Sequence, residues 1–113
     1  MIAQGDVWWA DLLDPIGSGP GFRRPVVVVQ SNALNRSLIG TVVVVPLTSN
    51  LGWAGAPGNV LLRAKQTGLD RDSVANGSQI VALDRQILTE RAGHLAKGPL
   101  MLVLAGIDIV LGQ

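Results

Sequence analysis

The sequence predicts a mixed α+β fold: a small β-barrel built from short strands, followed by one C-terminal helix. With 113 residues the chain fits a single domain covering residues 1–113. Short segments rich in β-branched residues recur along most of the chain, and glycines and prolines separate them, which is typical of strands joined by turns. Only Leu100–Leu111 is a long apolar segment preceded by a proline, Pro99, at a position where helices favour it.

Two runs of four valines predict the central strands of the barrel, Arg24–Gln30 and Thr41–Leu47. Consecutive valines cannot alternate with polar residues, so both faces of these strands are expected to be covered. Pro46 cannot donate a ladder hydrogen bond and is expected at an edge or a bulge. Around these runs we expect a strand, a Gly- and Pro-rich loop, and one or two helical turns: Gly5–Leu13, Asp14–Phe22 and Ser31–Ser37.

The second half of the chain contains shorter elements. Asn59–Arg63 is predicted to be a strand that follows a long Gly- and Ala-rich loop, Thr48–Gly58. The dipeptide Asn76–Gly77 is a strong hairpin signal and predicts that the strands on either side of it pair with each other. The other segments are interpreted as a turn, two short strands, a helical turn and an extended piece: Thr67–Asp72, Ser73–Ala75, Ser78–Asp84, Asp84–Glu90 and Arg91–Leu95.

The chain is unusually apolar for its size, with 48% hydrophobic and 15% charged residues. Part of this excess is expected in a subunit interface. Leu100–Leu111 is apolar nearly all round, with Asp108 its only charge, and such a helix is expected to be buried on more than one side. No stretch approaches the roughly 20 apolar residues that span a bilayer, and Met1–Asp6 lacks a targeting pattern. We therefore expect a cytoplasmic protein.

The composition excludes several kinds of site. Without cysteine the chain has no disulfide framework and no thiolate metal site. The single histidine, His94, excludes a histidine-rich metal site and a two-histidine nuclease mechanism, and it is interpreted as a surface or strand-end residue. We expect neither a metal nor a cofactor. Because the net charge is only +1, any binding of nucleic acid must depend on local placement of charge.

Three segments carry the candidate functional side chains. Gly17–Pro25 is a flexible loop that delivers two arginines to the start of a valine strand. Pro46–Asn50 places two hydroxyl groups where the other central strand ends. Leu69–Ala75 is a charged turn that leads towards Gln79 and Ile80.

These residue types suit the cleavage of RNA without a metal. The ribose 2′-OH attacks the adjacent phosphorus and leaves a 2′,3′-cyclic phosphate and a 5′-OH end, while the protein aligns the groups, stabilises negative charge and moves two protons. The planar fork of an arginine such as Arg24 binds two phosphate oxygens, and a hydroxyl such as that of Thr48 can donate to the same phosphate. Because arginine holds its proton so strongly, Arg24 is interpreted as an electrostatic stabiliser first and a proton donor second.

Four blocks of sequence, taken in their order and spacing, point to a known family. They are Gly5–Leu12 (GDVWWADL), Gly17–Gln30 (GSGPGFRRPVVVVQ), Val44–Ser49 (VVPLTS) and Leu69–Ile80 (LDRDSVA followed by QI). In these blocks, over nearly its whole length, the chain resembles the MazF/PemK family of toxin–antitoxin endoribonucleases. The resemblance implies an SH3-like barrel, a homodimer, growth inhibition, and metal-independent cutting of single-stranded RNA at short sequences, with messenger RNA the expected target.

The resemblance also implies which residues act. The catalytic arginine of the family precedes the proline of the RPVVV-type strand and corresponds to Arg24. Its catalytic threonine follows the P-x-T strand end and corresponds to Thr48. Gln79 resembles a residue that lines the RNA groove. Neighbouring polar and aromatic side chains are further candidate RNA contacts: Arg23, Ser49, Asn50 and Trp53.

The loop before Arg24 departs from the family pattern. Many members carry Gly-Ser-Glu-Gln there, whereas this chain has Gly17–Pro20 (GSGP), with Gly19 in place of the acid, and a second arginine, Arg23. Neither the proton-transfer groups nor the cut sequence can therefore be carried over from the family.

Other side chains receive simpler interpretations. Trp8 and Trp9 are adjacent on a strand and face opposite sides, so one is expected in the core and the other on an RNA or partner surface. Trp53 can stack on a base or receive a partner segment. The charged turn Asp70–Asp72 is interpreted as a self-paired structural turn.

The sequence leaves two other functions open. A toxin of the same fold that poisons DNA gyrase without cutting is one, although the tryptophan-bearing C-terminal helix of those toxins is missing from Ile107–Gln113 (IDIVLGQ). An RNA-binding module that has lost cleavage is the other, and Gly19 in place of the acid leaves it open. The resemblance further implies an antitoxin partner whose disordered, acidic and apolar tail wraps across the toxin dimer.

Overall fold

The computed structural model describes residues 1–12 and 22–113, with Phe22 described by its backbone alone. The predicted loop Asp14–Phe22, including the departure at Gly17–Pro20, therefore lies almost entirely outside the described residues. Within the described ranges the strands are β1 (Asp6–Leu12), β2 (Phe22–Val28), β3 (Thr41–Thr48), β4 (Val60–Leu62), β5 (Ser73–Ala75), β6 (Val81–Asp84) and β7 (Leu88–His94). The helices are α1 (Asn32–Asn35), α2 (Ala64–Thr67) and α3 (Lys97–Leu111), with 3-10 turns at Leu51–Gly55, Gly77–Gln79 and Arg85–Ile87.

The strands form one curled antiparallel sheet that packs against α3. Its order is β4-β5-β3-β2-β1-β7, and β6 pairs with β3 beside β5. The long strand β3 lies at the centre, because β2 pairs along one edge while β6 and β5 share the other. The prediction of a mixed fold with a barrel-like sheet and a C-terminal helix is confirmed.

The two valine runs form the middle of this sheet, and both of their faces are buried, as predicted. Val26, Val28, Val42 and Val44 share one buried cluster with Ala10 and Leu88. The opposite faces of the same strands join a second cluster under α3, with members Val7, Val27, Val29, Val45, Leu47, Leu62, Ala75, Leu95, Val103 and Ile107. At about 1.5–3 kcal/mol for each fully buried aliphatic side chain, these two clusters are the main source of stability.

The predicted hairpin at Asn76–Gly77 is wrong. β5 and β6 both pair with β3, at Leu47–Thr48 and at Thr41–Val44, and not with each other. Between them the chain makes a 3-10 turn, and the Asn76 N–H donates to the Pro46 carbonyl at 3.0 Å. Pro46 thus lies between the β6 and β5 ladders on this edge of β3, where no strand of the described ranges pairs with it, while on the other edge it pairs with Val26 in regular register.

Helix α3 begins earlier and is less covered than predicted. It starts at Lys97, so Pro99 is its third residue, still within the turn whose N–H groups have no helical partner. Val103, Gly106 and Ile107 form its buried face. Apolar side chains remain exposed on the opposite face (Met101, Leu102 and Ile109) and at the C-terminal end of the helix (Val110 and Leu111). Burial on more than one side is therefore wrong for the single chain.

The segment that joins β6 to β7 differs in part from the prediction. Only Arg85–Ile87 of the expected helical turn Asp84–Glu90 is helical, and the chain extends from Leu88 onwards. No helix in the described part of the chain is both long and apolar enough to cross a membrane.

Three glycines allow α3 to approach the sheet edge closely. A Cβ atom on Gly77 or on Gly106 would overlap the carbonyl oxygen of Gly58. The backbones of the 3-10 turn, the helix and the loop before β4 therefore meet without intervening side chains.

Candidate functional site

Two clefts open next to each other beside the ends of β2 and β3. The first, which we name the arginine cleft, has a volume of about 390 Å³. It is lined by Trp9, Arg23, Arg24, Pro25, Leu47, Thr48, Ser49, Leu69, Asp70, Arg71 and Ser73. The second, the amide cleft, has a volume of about 310 Å³. It is lined by Arg24, Thr48, Trp53, Ala56, Asn59, Asn76, Ser78 and Gln79.

Arg24 and Thr48 are the two residues common to both clefts. The strand register explains why they meet. Val26 pairs with Pro46 and Val27 with Val45, and the same antiparallel register continued by two residues aligns Arg24 with Thr48. The two predicted catalytic side chains are thus brought together at the junction of the clefts by the valine strands that precede them.

The Thr48 hydroxyl has a defined orientation. Its oxygen accepts a hydrogen bond from the Asn50 N–H at 3.1 Å. The oxygen is thereby held at the junction of the clefts, and its proton can be donated to a ligand.

Arg23 is held at the edge of the arginine cleft by contacts across three neighbouring strands. Its guanidinium lies 4.9 Å from the centre of the Trp9 ring and 3.5 Å from the Glu90 carboxylate. Both partners of the ion pair are more than half exposed, so the pair itself contributes at most about 1 kcal/mol. The two tryptophans face opposite sides as predicted, since Trp8 packs against the buried cluster of Ala10 while Trp9 lines the cleft.

The other predicted RNA contacts lie in different places. Ser49 lines the arginine cleft, whereas Trp53 and Gln79 line the amide cleft. Trp53 is 55% exposed. Asn50 lines neither cleft, because its side chain accepts the Gly52 N–H at 3.1 Å and caps the 3-10 turn that carries Trp53.

Hydrogen bonds fix the wall of the amide cleft. Asn59 accepts the Gly77 N–H at 3.1 Å and donates to the Trp53 carbonyl at 3.0 Å, so it ties two 3-10 turns together. Ser78 donates to the Asn76 side chain at 3.1 Å. Sequence reasoning missed Asn59, Asn76 and Ser78, because nothing in their spacing shows that these loops meet.

The charged turn is only partly structural. Asp72 has the predicted structural role but pairs outside the turn, since it accepts hydrogen bonds from the Ala64 N–H at 2.8 Å and from Arg63 at 3.1 Å. These two contacts, the backbone one first, lower the pKa of Asp72. Asp70 and Arg71 form an ion pair within the turn, as predicted, but the pair is long, at 3.8 Å, and both residues also line the arginine cleft.

A second group of charges lies at the other end of β1, and we name it the Asp6 cluster (Asp6, Arg91 and His94). The buried Asp6 carboxylate accepts from Arg91 Nε at 3.2 Å and contacts His94 Nδ1 at 2.8 Å. It also accepts from the Trp8 indole at 3.2 Å and the Ala3 N–H at 2.9 Å. Burial raises the pKa of Asp6, but the bonds from His94, Ala3 and Trp8 and the charge of Arg91 outweigh it, so the pKa is lowered.

Comparison with known proteins decides the family. Residues 3–111 match the model of the PemK-like, MazF-like toxin of type II toxin–antitoxin systems. The chain belongs to this family. The predicted resemblance is therefore confirmed over nearly the whole chain.

Individual relatives agree with this membership. The chain is 43% identical to endoribonuclease MazF6 of Mycobacterium tuberculosis over 111 residues, which cover 98% of this chain and 97% of the relative. It is 39% identical to endoribonuclease EndoA of Bacillus subtilis, over 84% of this chain and 81% of the relative. Among solved structures, the MazE–MazF complex of Deinococcus radiodurans superposes with a TM-score of 0.81 at 26% identity, covering 99% of this chain and 96% of that one.

Proposed function

We propose that this chain is the toxin of a type II toxin–antitoxin system and a metal-independent, sequence-selective endoribonuclease. The observation that carries the proposal is the position of Arg24 and Thr48 at the junction of two clefts. A single strand that enters one cleft and leaves through the other brings one phosphodiester to these two side chains. The endoribonuclease names of relatives that share most of the chain support the same reaction.

The chemistry follows from the parts at the junction. The 2′-OH of the upstream ribose attacks the adjacent phosphorus and loses its proton, and the bond from phosphorus to the 5′ oxygen breaks as that oxygen gains a proton. Arg24 neutralises the charge that develops on the non-bridging oxygens, and the Thr48 hydroxyl donates a hydrogen bond to one of them. The products are a 2′,3′-cyclic phosphate and a 5′-OH end.

The remaining cleft residues position the strand on either side of the cut. Arg23 and Ser49 are placed to contact the strand in the arginine cleft, and Gln79 is placed to contact it in the amide cleft. Trp53 offers an exposed ring on which a base can stack. Asn50 acts through the hydrogen bonds that hold Thr48 and the Trp53 turn.

The exposed face of α3 supports a homodimer. Its apolar side chains include Met101, Leu102 and Ile109, each more than half exposed in the single chain. Burying such a face against a second copy removes the apolar surface from water. The dimer also restores the second buried side that the composition of the helix predicts.

An antitoxin is the natural partner of a toxin in this family. The Deinococcus radiodurans structure is a complex of MazE with MazF, and a mycobacterial endoribonuclease of the same fold was solved with its cognate antitoxin. The three arginines of the arginine cleft carry positive charge that complements the negative charge of an acidic tail. We propose that a disordered acidic segment of the antitoxin occupies the clefts and blocks RNA.

One experiment tests the reaction. Purified protein and the Arg24→Ala variant are incubated with mixed-sequence single-stranded RNA in EDTA, and the product ends are mapped. We expect cuts at a short recurring motif with cyclic phosphate ends, and a loss of about 10³-fold or more in kcat/KM for the variant. Intact RNA in the presence of a folded protein that still arrests growth would instead support a gyrase-type poison.

A further inference from the structure

We propose that the Asp70–Arg71 turn reads the base that enters the arginine cleft, and that it selects guanine and rejects uracil. The inference rests on the proposed RNA-cleaving function, which places a phosphate at Arg24 and Thr48 and one flanking base on each side. The inference gives Asp70 and Arg71 a role in base specificity, whereas their sequence alone predicts only a structural turn.

The two clefts offer a strand different chemistry. The arginine cleft is lined by three arginines and, among its described residues, by one acid, Asp70. Apart from Arg24, the polar groups of the amide cleft are neutral: three amides, two hydroxyls and an indole. The nucleotides before and after the scissile phosphate therefore meet different donors and acceptors, and each cleft can select its base independently. At about 390 Å³ the arginine cleft lies within the usual size range of small-ligand pockets, roughly 300–1,000 Å³.

The turn that carries Asp70 and Arg71 is anchored at both ends. On one side, the buried Thr67 accepts the Leu69 N–H at 3.1 Å and donates to the Ala64 carbonyl at 3.3 Å. On the other side, Asp72 is bound to Arg63 and to the Ala64 N–H. The backbone is thus held in place before a ligand arrives, as a base-reading element requires.

The charged ends of the two side chains remain in water. The side chain of Asp70 is 85% exposed and that of Arg71 is 70% exposed. Their ion pair at 3.8 Å is long and solvated, so a base edge loses little by replacing it. Anchored backbone and available charges together distinguish this turn from Asp72, whose carboxylate is already occupied.

The chemistry of the pair selects the base. A carboxylate only accepts hydrogen bonds and a guanidinium only donates them. Guanine presents two adjacent donors, N1–H and the 2-amino group, to the two oxygens of Asp70, and its O6 and N7 suit Arg71. Uracil presents one N–H between two carbonyl oxygens, which would face the Asp70 carboxylate with like partial charge. Adenine and cytosine, with one amino group each, rank between them.

A random RNA pool tests the inference with the full-length protein. Wild type and the Asp70→Asn variant cut the pool in EDTA, and sequencing of the ends gives the base preference on each side of the cut. Asparagine keeps the size of the side chain but adds donors and removes the charge. We expect the preference for guanine over uracil to fall roughly 5- to 150-fold at one flanking position, with the other flank unchanged.

The same turn provides a matched control. Asp72→Asn removes a carboxylate two residues away that does not line the cleft. It should reduce thermal stability and leave the cut sequence as in wild type. Trp53→Ala should alter preference on the flank that Asp70 does not read.

The outcomes separate the inference from the proposed function. If wild type cuts RNA and Asp70→Asn keeps the same preference on both flanks, the base-reading role is wrong and the nuclease stands. If wild type leaves RNA intact, the proposed function fails. Binding to a random 2′-O-methyl RNA pool, which cannot be cleaved, tests base reading without cleavage. It can therefore be used if wild type leaves RNA intact or if the variant no longer cuts. Guanine enrichment by wild type that the variant loses supports the role, and equal enrichment by both overturns it.

Discussion

The Asp6 cluster and the arginine cleft both collect charges beside β1, but they use them in opposite ways. The Asp6 side chain is 2% exposed, and its carboxylate has four polar contacts no longer than 3.2 Å. In the cleft, Arg23 and Arg71 have ion pairs of 3.5 and 3.8 Å whose partners are mostly in water. A saturated, buried charge stabilises the fold, whereas weakly paired charges at the surface are available to a ligand.

The largest effect on stability is expected at Asp6. Asp6→Ala leaves the Trp8 and Ala3 N–H groups without their acceptor. It also removes the counter-charge of Arg91 and the hydrogen-bond partner of His94. Loss of such a group costs about 3 kcal/mol of the free energy of unfolding. Urea denaturation measures it, and RNA cleavage below the new melting temperature should be retained. A loss below about 0.5 kcal/mol would place Asp6 with the exposed charges, contrary to the comparison.

Thr48→Val should show the reverse pattern. The change removes the hydroxyl at the junction of the clefts but keeps the shape of the side chain. We expect kcat/KM for RNA cleavage to fall by about 10- to 100-fold because one hydrogen bond to the phosphate is lost. Thr48→Ser should recover most of the rate. Equal loss in both variants would point to packing rather than to the hydroxyl.

Lowering the pH should reduce the stabilisation that the Asp6 cluster gives to the folded protein. Because the pKa of Asp6 is lowered in the folded protein, the unfolded chain takes up the proton first as the pH falls. The stabilisation is therefore present above the unfolded value, near 3.9, and is lost as the pH drops through the lower folded pKa. Thermal melting of wild type and Asp6→Asn between pH 7 and 3 should converge. If the difference between the two melting temperatures instead widened in acid, the direction assigned to the pKa shift of Asp6 would be wrong.

The smallest effect is expected for Glu90→Gln, which removes the ion pair of Arg23 and leaves its contact with Trp9. Stability should change by less than about 1 kcal/mol. Because Arg23 is then held less firmly, KM for RNA should change by no more than about threefold, with kcat unchanged. Steady-state kinetics at low salt measure it. A loss of kcat would show that Glu90 takes part in the reaction itself.

Much of the fold could be predicted because it depends on local pattern. Two runs of β-branched valines favour strands covered on both faces, and continuing their register aligns Arg24 with Thr48. The hairpin at Asn76–Gly77 failed for the opposite reason. Local turn preference favoured it, but pairing of both neighbouring segments with β3 decided the outcome.

The polar walls of the clefts were harder to predict from sequence. The sequence of Asp70 and Arg71 indicates an ordinary charged turn, and only the folded structure shows that they line the same cleft as Arg24. Asn59 and Gly77 are 18 residues apart and meet through one hydrogen bond. Such contacts depend on tertiary packing, for which sequence periodicity carries no signal.

The close approach of Gly58, Gly77 and Gly106 has a mechanical consequence. Since no side chain separates the three backbones, α3 and the turn that carries Gln79 are in direct backbone contact through Gly58. A methyl group at Gly77 or Gly106 would clash with the Gly58 carbonyl oxygen, so the helix or the wall of the amide cleft would have to shift. The apolar face of α3 and the turn that carries Gln79 are therefore linked through one close backbone contact, and a displacement of the helix is expected to move that turn as well.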